Sequence, residues 1–151
     1  MKKFEKNVGN KGFSLVELII VIAIMAVLIA VLAPQYIAYI EKTRQGKDAD
    51  VAGVVQRVIK VSMADTDIED RPDGGFSVTK LSDIDDGTHD DFVNEICQSL
   101  GASDLATFEA SALTSNAYRG NSFQVDIDST CQKITVTVFS NNPNIDDIVV
   151  E

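Results

Sequence analysis

A run of sixteen consecutive apolar residues, from Leu18 to Ala33, constrains this chain more than any other feature of its sequence. Counted from Phe13, the hydrophobic segment has 21 residues and one charged side chain, Glu17. At about 1.5 Å per residue, a helix of that length crosses roughly 30 Å of hydrocarbon. The segment is therefore predicted to span a membrane.

The residues before this segment are basic, with four lysines and one glutamate in residues 1–12. A secretory signal would follow its apolar core with a small-residue cleavage site and a polar mature start, and neither is present here. The lysines favour a cytoplasmic N-terminus, although Lys42, Arg44 and Lys47 on the other side make the charge bias modest. The remainder of the chain is therefore expected outside the cytoplasm.

Glu17 has no cationic side chain near it in the sequence, since none lies between Gly12 and Glu41. An acid in hydrocarbon costs on the order of 3 kcal/mol or more, so it needs an explanation. In one interpretation Glu17 lies near the interface and snorkels, or is protonated. In the other, cleavage between Gly12 and Phe13 frees an α-amine one helical turn away, which pairs with Glu17 of the same or a neighbouring chain.

The sequence GFSLVE at residues 12–17, the apolar run after it and Pro34 resemble a type IV pilin precursor over roughly the first forty residues. The resemblance implies that a membrane prepilin peptidase cuts after Gly12 and N-methylates Phe13. It also implies that an inner-membrane assembly platform moves the subunit from the membrane into a helical filament of its own copies. Ala26 stands where many such subunits have a glycine, and alanine favours helix there by about 1 kcal/mol.

Three regions are predicted: a leader removed on maturation at 1–12, a transmembrane and filament-core helix at 13–40, and an extracellular head at 41–151. Pro34 either ends the first helix or kinks it. Apolar residues resume at helical spacing from Val51 to Ile59, so we expect a kinked helix that continues to about Ala64.

The rest of the head is predicted to be an α+β fold, in which the second half of the long helix packs against a small antiparallel sheet. The elements expected after the long helix are a helix at 90–100 capped by Thr88, a weakly amphipathic helix at 103–113, a hairpin at 123–127 and 134–138, and a strand at 145–150.

The charge balance of the head excludes some functions. From Gln35 onward the chain has 9 basic and 21 acidic side chains, so phosphate-backbone binding is not expected and nucleic acid is not a predicted partner. The acids cluster at 65–73, at 83–91 and at Asp126 and Asp128. The spacing of the first two clusters does not match an EF-hand, so solvated acidic loops are preferred to a calcium site.

Two cysteines, Cys97 and Cys131, lie in the part expected to face an oxidising exterior, and a disulfide between them is predicted. The alternative is two buried, reduced thiols. His89 is the only histidine and lies in an acidic loop, where a surface histidine is the default interpretation. No nucleophile, phosphate-loop or zinc motif is found, so we expect no enzyme activity, no cofactor and no metal.

Three functions remain. The first is a structural subunit of a type IV pilus, present in the cytoplasmic membrane and then in a surface filament, with adhesion, twitching motility or biofilm formation as the roles that the resemblance implies. The alternative is a pseudopilin of a type II secretion or competence DNA-uptake system. The third is a membrane-tethered binding or catalytic domain that keeps its leader.

Overall fold

The protein is an α+β fold with one long N-terminal helix, as predicted. The computed structural model describes residues 12–151, so the predicted leader lies outside the described residues except for Gly12. The elements are α1 (Leu15–Ala64), β1 (Phe76–Val78), a 3₁₀ helix (Leu81–Ile84), α2 (Asp90–Leu100), α3 (Leu105–Ala112), β2 (Phe123–Ile127), β3 (Ile134–Val138) and β4 (Ile148–Val150). The chain divides into two compact units, the first ending at Tyr39 and the second covering Ile40–Glu151.

The first unit contains the apolar part of α1. Every residue from Gly12 to Tyr39 is exposed, and Leu18 and Leu32 keep 61% and 58% of their surface. The most apolar 18-residue window of α1 has a mean hydropathy of 3.2. A helix that is apolar all round belongs in a membrane or a protein core, so length and composition both fit the predicted membrane span.

Pro34 lies inside α1, and the helix continues on both sides of it. The proline has no N–H to donate to the carbonyl of Ala30, which costs the helix one hydrogen bond. The alternative that Pro34 ends the helix is therefore wrong. The kink at Pro34 stays a prediction.

The second unit is built on the remainder of α1, whose buried residues recur at helical spacing. They are Asp48, Ala52, Val55, Gln56, Ile59, Ser62 and Met63. Gln56 also bonds this face to the sheet, since its Nε2 donates to the carbonyl of Ile134 at 3.1 Å. The helix ends at Ala64, where the sequence predicts its end.

The sheet has four antiparallel strands in the order β1-β2-β3-β4. The predicted hairpin is confirmed, with Phe123 opposite Val138 and Ile127 opposite Ile134. Buried and half-buried residues alternate along β2 and β3, so one face of the sheet forms the core. The last predicted strand is shorter than expected and begins at Ile148.

The start of α2 differs from the prediction. Thr88 does not cap this helix; its backbone N–H instead bonds to Asp86 at 2.9 Å. The cap comes from Asp70, whose two carboxylate oxygens accept the N–H groups of Asp91 at 2.7 Å and Phe92 at 2.9 Å. At the other end of α2, Gly101 has φ +67°, a left-handed conformation that suits glycine and ends the helix as predicted.

Strand β1 and the 3₁₀ helix were not predicted, because three or four residues are too few to show a period. Both depend on other parts of the fold. Gly75, just before β1, lies so close to the hairpin that a Cβ there would be 2.6 Å from the backbone of Asp128. Glu109 of α3 accepts the N–H of Leu81 and the N–H of Phe123, each at 3.0 Å.

Candidate processing and assembly site

The predicted cleavage bond, between Gly12 and Phe13, precedes the first helical residue, Leu15. Phe13 is 91% exposed, and a Cβ built on Gly12 would meet no described atom within 4 Å apart from those of Gly12 and its chain neighbours. A peptidase needs an extended and uncovered stretch of backbone, and helical hydrogen bonds would oppose that conformation. The structure therefore places the predicted bond where the backbone is accessible.

Glu17 has a hydrogen-bond partner in its own chain. Its Oε2 accepts the backbone N–H of Ser14 at 2.9 Å, and the hydroxyl of Ser14 lies 3.4 Å from the N–H of Val16. A serine that precedes a helix and a glutamate three residues later form a capping box, which satisfies N–H groups that the first turn leaves unbonded. This interaction was not predicted from the sequence, although the spacing of Ser14 and Glu17 is its recognised signature.

The capping bond places the Glu17 carboxylate beside the backbone where cleavage would create a charge. Ser14 N, which donates to Glu17, belongs to the peptide bond between Phe13 and Ser14. Cleavage after Gly12 would turn the preceding nitrogen, that of Phe13, into a free amine. A carboxylate can accept several hydrogen bonds, so Glu17 can keep the capping bond and accept a further one from an amine.

A comparison with protein families identifies this part of the chain. The family model described as "Prokaryotic N-terminal methylation motif" matches residues 8–33. The chain carries the type IV prepilin signature. No curated protein and no solved structure gives a significant match. The recognition from GFSLVE and the apolar run is thus confirmed for this prepilin-like N-terminus.

The head of this prepilin-like chain uses two acids of α1 to hold the segment between α3 and β2. Asp48 is fully buried. It accepts the N–H and hydroxyl of Thr114 at 2.9 and 3.2 Å, and those of Ser115 at 3.0 and 2.5 Å. Glu41, two helical turns earlier, accepts the N–H of Asn116 at 2.6 Å. Three consecutive N–H groups are therefore bonded to carboxylates of α1.

Most of the other acids of the head are exposed, as predicted for solvated loops, and several acids bond to nearby backbone N–H groups. The hydroxyl and N–H of Thr130 bond to Asp128 in the hairpin turn and hold the pKa of that carboxyl below its usual range. The N–H of Thr107 lowers the pKa of Asp104, the N-cap of α3, in the same way. Within residues 12–151 no group of three or more acids, cysteines and histidines is close enough to hold a metal ion.

His89 lies beside a cleft of about 420 Å³ that is also lined by Phe76 and Asp83. Its Nδ1 is in contact with the backbone carbonyl of Asp70, the residue whose side chain caps α2. This contact joins the histidine ring to the loop before α2. The partner of the ring is thus a backbone carbonyl and not the side chain of a nucleophile.

The two cysteines are free thiols in the structure. Cys97 is buried on α2, and desolvation followed by the charges of Asp104 and Asp85 raises the pKa of its thiol. Cys131 is half-buried in the β2–β3 turn and has φ +56°. The pairing of the two cysteines stays a prediction, and a direct mass measurement can test it.

Proposed function

We propose that this chain is a structural subunit of a type IV pilus. The observation that carries the proposal is the methylation motif at residues 8–33, which continues into a helix whose apolar side chains are all exposed up to Tyr39. Such a surface needs lipid or other helices around it. A filament core made of the same helices from neighbouring copies would supply that cover after the subunit leaves the membrane.

In this proposal the leader at 1–12 is removed by a prepilin peptidase, and Phe13 is N-methylated. Residues 13–40 hold the subunit in the cytoplasmic membrane until an inner-membrane assembly platform transfers it to the filament. The head at 41–151 then coats the outside of an extracellular pilus. Glu17 accepts the new amine of Phe13 from its own or a neighbouring copy, which offsets the cost of a carboxylate among apolar side chains. The role is structural and needs no catalytic group.

Two measurements test the proposal. Mass spectrometry of the N-terminal peptide from cells should give a methylated Phe13, and electron microscopy of sheared surface material should show filaments that contain the protein. Processed protein without surface filaments, together with loss of secretion or DNA uptake on deletion, would assign it to the pseudopilins. An intact Met1 in the cellular protein would instead indicate a tethered domain that keeps its leader.

A further inference from the structure

The stretch of α1 from Ile40 to Asp50 has equal numbers of acidic and basic side chains, yet its surface is cationic. Its acids are Glu41, Asp48 and Asp50, and its bases are Lys42, Arg44 and Lys47. Asp48 is fully buried, and Glu41 is half-buried with its carboxylate on the N–H of Asn116. All three bases are exposed, and Asp50 is the one exposed acid of the stretch. We call Lys42, Arg44 and Lys47 the basic collar.

The collar has no carboxylate partner within the described part of the chain. The one ion pair found in residues 12–151 joins Lys133 to Glu151 at 3.3 Å. Glu41 and Asp48 thus accept backbone N–H groups, while the neighbouring cations are exposed to solvent. Three of the nine basic residues beyond Gln35 lie within six positions, although this part of the chain is strongly acidic. An anion from outside the subunit would complement them.

The position of the collar in the sequence indicates which anion that is. If Glu17 lies at the cytoplasmic interface, the first of the two interpretations of that residue, the hydrocarbon span begins at Leu18. About 20 helical residues cross 30 Å of hydrocarbon, so this span ends near Ile37. The headgroup layer adds roughly 5 to 7 Å on that side, or about three to five helical residues. Lys42 falls at the level of the lipid phosphates. Arg44 and Lys47 lie slightly beyond and can reach back, because long basic side chains snorkel.

We propose that the basic collar binds the phosphate groups of anionic phospholipids at the membrane surface that faces the head. Arg44 can bind a phosphate with two parallel N–H groups, and the two lysines act as point charges. Their attraction would oppose the repulsion between an acidic head and an anionic surface and would fix the depth of the helix before assembly. The inference rests on the membrane stage of the proposed function and does not depend on whether the subunit later enters a filament.

The test uses the full chain in nanodiscs that contain phosphatidylcholine and phosphatidylglycerol in a two-to-one ratio. Native mass spectrometry then counts the lipids of each type that remain bound. The test variant replaces all three collar residues with glutamine (Lys42→Gln, Arg44→Gln, Lys47→Gln). The control makes the same chemical change at other exposed positions (Arg57→Gln, Lys60→Gln, Lys80→Gln). Circular dichroism checks that the three proteins are equally folded.

Wild type and control should retain phosphatidylglycerol in preference to phosphatidylcholine, and this preference should fall at least tenfold in the collar variant, given about fivefold per cation near an anionic surface. The preference should also weaken as salt is added. An unchanged preference in the collar variant, or an equal fall in both variants, would overturn the proposal. So would unchanged lipid retention combined with the loss of carbodiimide cross-links between copies, which would assign the collar to the acidic surface of a second subunit. The N-terminal mass is measured separately, so a failure here is distinguishable from a failure of the pilin assignment.

Discussion

Asp48 of α1 accepts both the backbone N–H and the hydroxyl of Ser115, at 3.0 and 2.5 Å, in a place that solvent does not reach. These two residues are 67 positions apart in the chain. With the bonds from Thr114, the carboxylate joins the long helix to the segment that leads into β2. A buried acid with this many donors is a structural part of the head and has no need of a metal or a cation.

Replacing Asp48 with alanine should destabilise the head by about 3 kcal/mol, because two backbone N–H groups lose a charged acceptor. Asp48→Asn should lower the free energy of unfolding by less than Asp48→Ala does. Its remaining oxygen still accepts hydrogen bonds, although its amide NH₂ group then faces other donors. The matched control is Asp50→Ala, an exposed acid of the same helix, which should change stability by less than about 0.5 kcal/mol. Urea unfolding of the full chain in detergent measures the free energy of unfolding. Equal losses in the Asp48 and Asp50 variants would contradict the structural role.

Acid should weaken the hairpin turn through Asp128. Its pKa is lower in the folded chain than its usual value of 3.8, because Thr130 donates to the charged form. A carboxyl with a depressed folded pKa contributes stability above the unfolded value and loses it as pH falls through the folded value. Asp128→Asn keeps an acceptor oxygen but does not titrate, so its stability should depend less on pH below 3.8 than that of the wild type.

Thermal unfolding from pH 5 down to pH 2 checks this prediction. The exposed Asp73 lies outside the hydrogen bonds of the hairpin turn, so Asp73→Asn serves as the control. Parallel pH curves for the wild type and Asp128→Asn would show that Thr130 does not stabilise the charged carboxylate.

Substituting Gly12 with leucine should block processing, because a bulky side chain would then occupy the residue before the cleaved bond. The bond itself lies outside the helix and is exposed, so the change should leave the fold of the head intact. N-terminal peptide mass spectrometry should find methylated Phe13 in the wild type and an uncut leader in the variant. Gly9→Val, three residues earlier, is the control and should be processed. Normal cleavage of Gly12→Leu would rule out this junction.

Glu17 should matter more for assembly than for processing. Glu17→Ala removes both the bond to Ser14 and the charge, whereas Glu17→Gln keeps an oxygen that can accept the Ser14 N–H. Removing one partner of a buried ion pair costs typically about 3 to 5 kcal/mol, enough to depress filament growth severely. Both variants should therefore be cut and stay in the membrane, with few filaments in electron micrographs.

The glutamine variant separates the two roles of Glu17. If capping the first turn is all that this residue does, Glu17→Gln should give a normal filament yield, and the pairing with the amine of Phe13 would then be wrong. Ser14→Ala provides the complementary variant, because it removes the hydroxyl of the capping box and leaves the carboxylate in place.

The intact mass of the protein purified without reductant should be about 2 Da below the reduced value if Cys97 and Cys131 form a bridge. Thiol labelling of the folded protein is a poor test alone, since burial raises the pKa of the Cys97 thiol and slows its reaction. Labelling should therefore be done after unfolding in denaturant without reductant. Modification of both cysteines in freshly purified material would show that they are the free thiols of the present structure.

The sequence alone determined the elements that have a strong period and the residues that carry the N-terminal signature. The long apolar segment, the end of α1 at Ala64 and both strands of the 123–138 hairpin follow from local patterns. The recognition of a prepilin-like N-terminus likewise depends on a contiguous motif at residues 8–33. These features need no distant contact, because membrane spans, amphipathic helices and hairpins are specified by neighbouring residues.

The roles of the acidic residues depend on long-range contacts of the folded chain. In the sequence, Glu41, Asp48, Asp70 and Glu109 are acids like the others, and the acidic clusters of the head are predicted to be solvated loops. In the folded chain each of these four carboxylates accepts a backbone N–H from a distant residue. Glu41 bonds to Asn116, 75 positions away, and Asp48 bonds to Ser115, 67 positions away. Asp70 bonds to Asp91, 21 positions away, and Glu109 bonds to Phe123, 14 positions away. Such pairs leave no periodic pattern in the sequence, because chain reversal and packing bring the two residues together. The same contacts withdraw two acids from the surface of α1 and leave Lys42, Arg44 and Lys47 as its exposed charge.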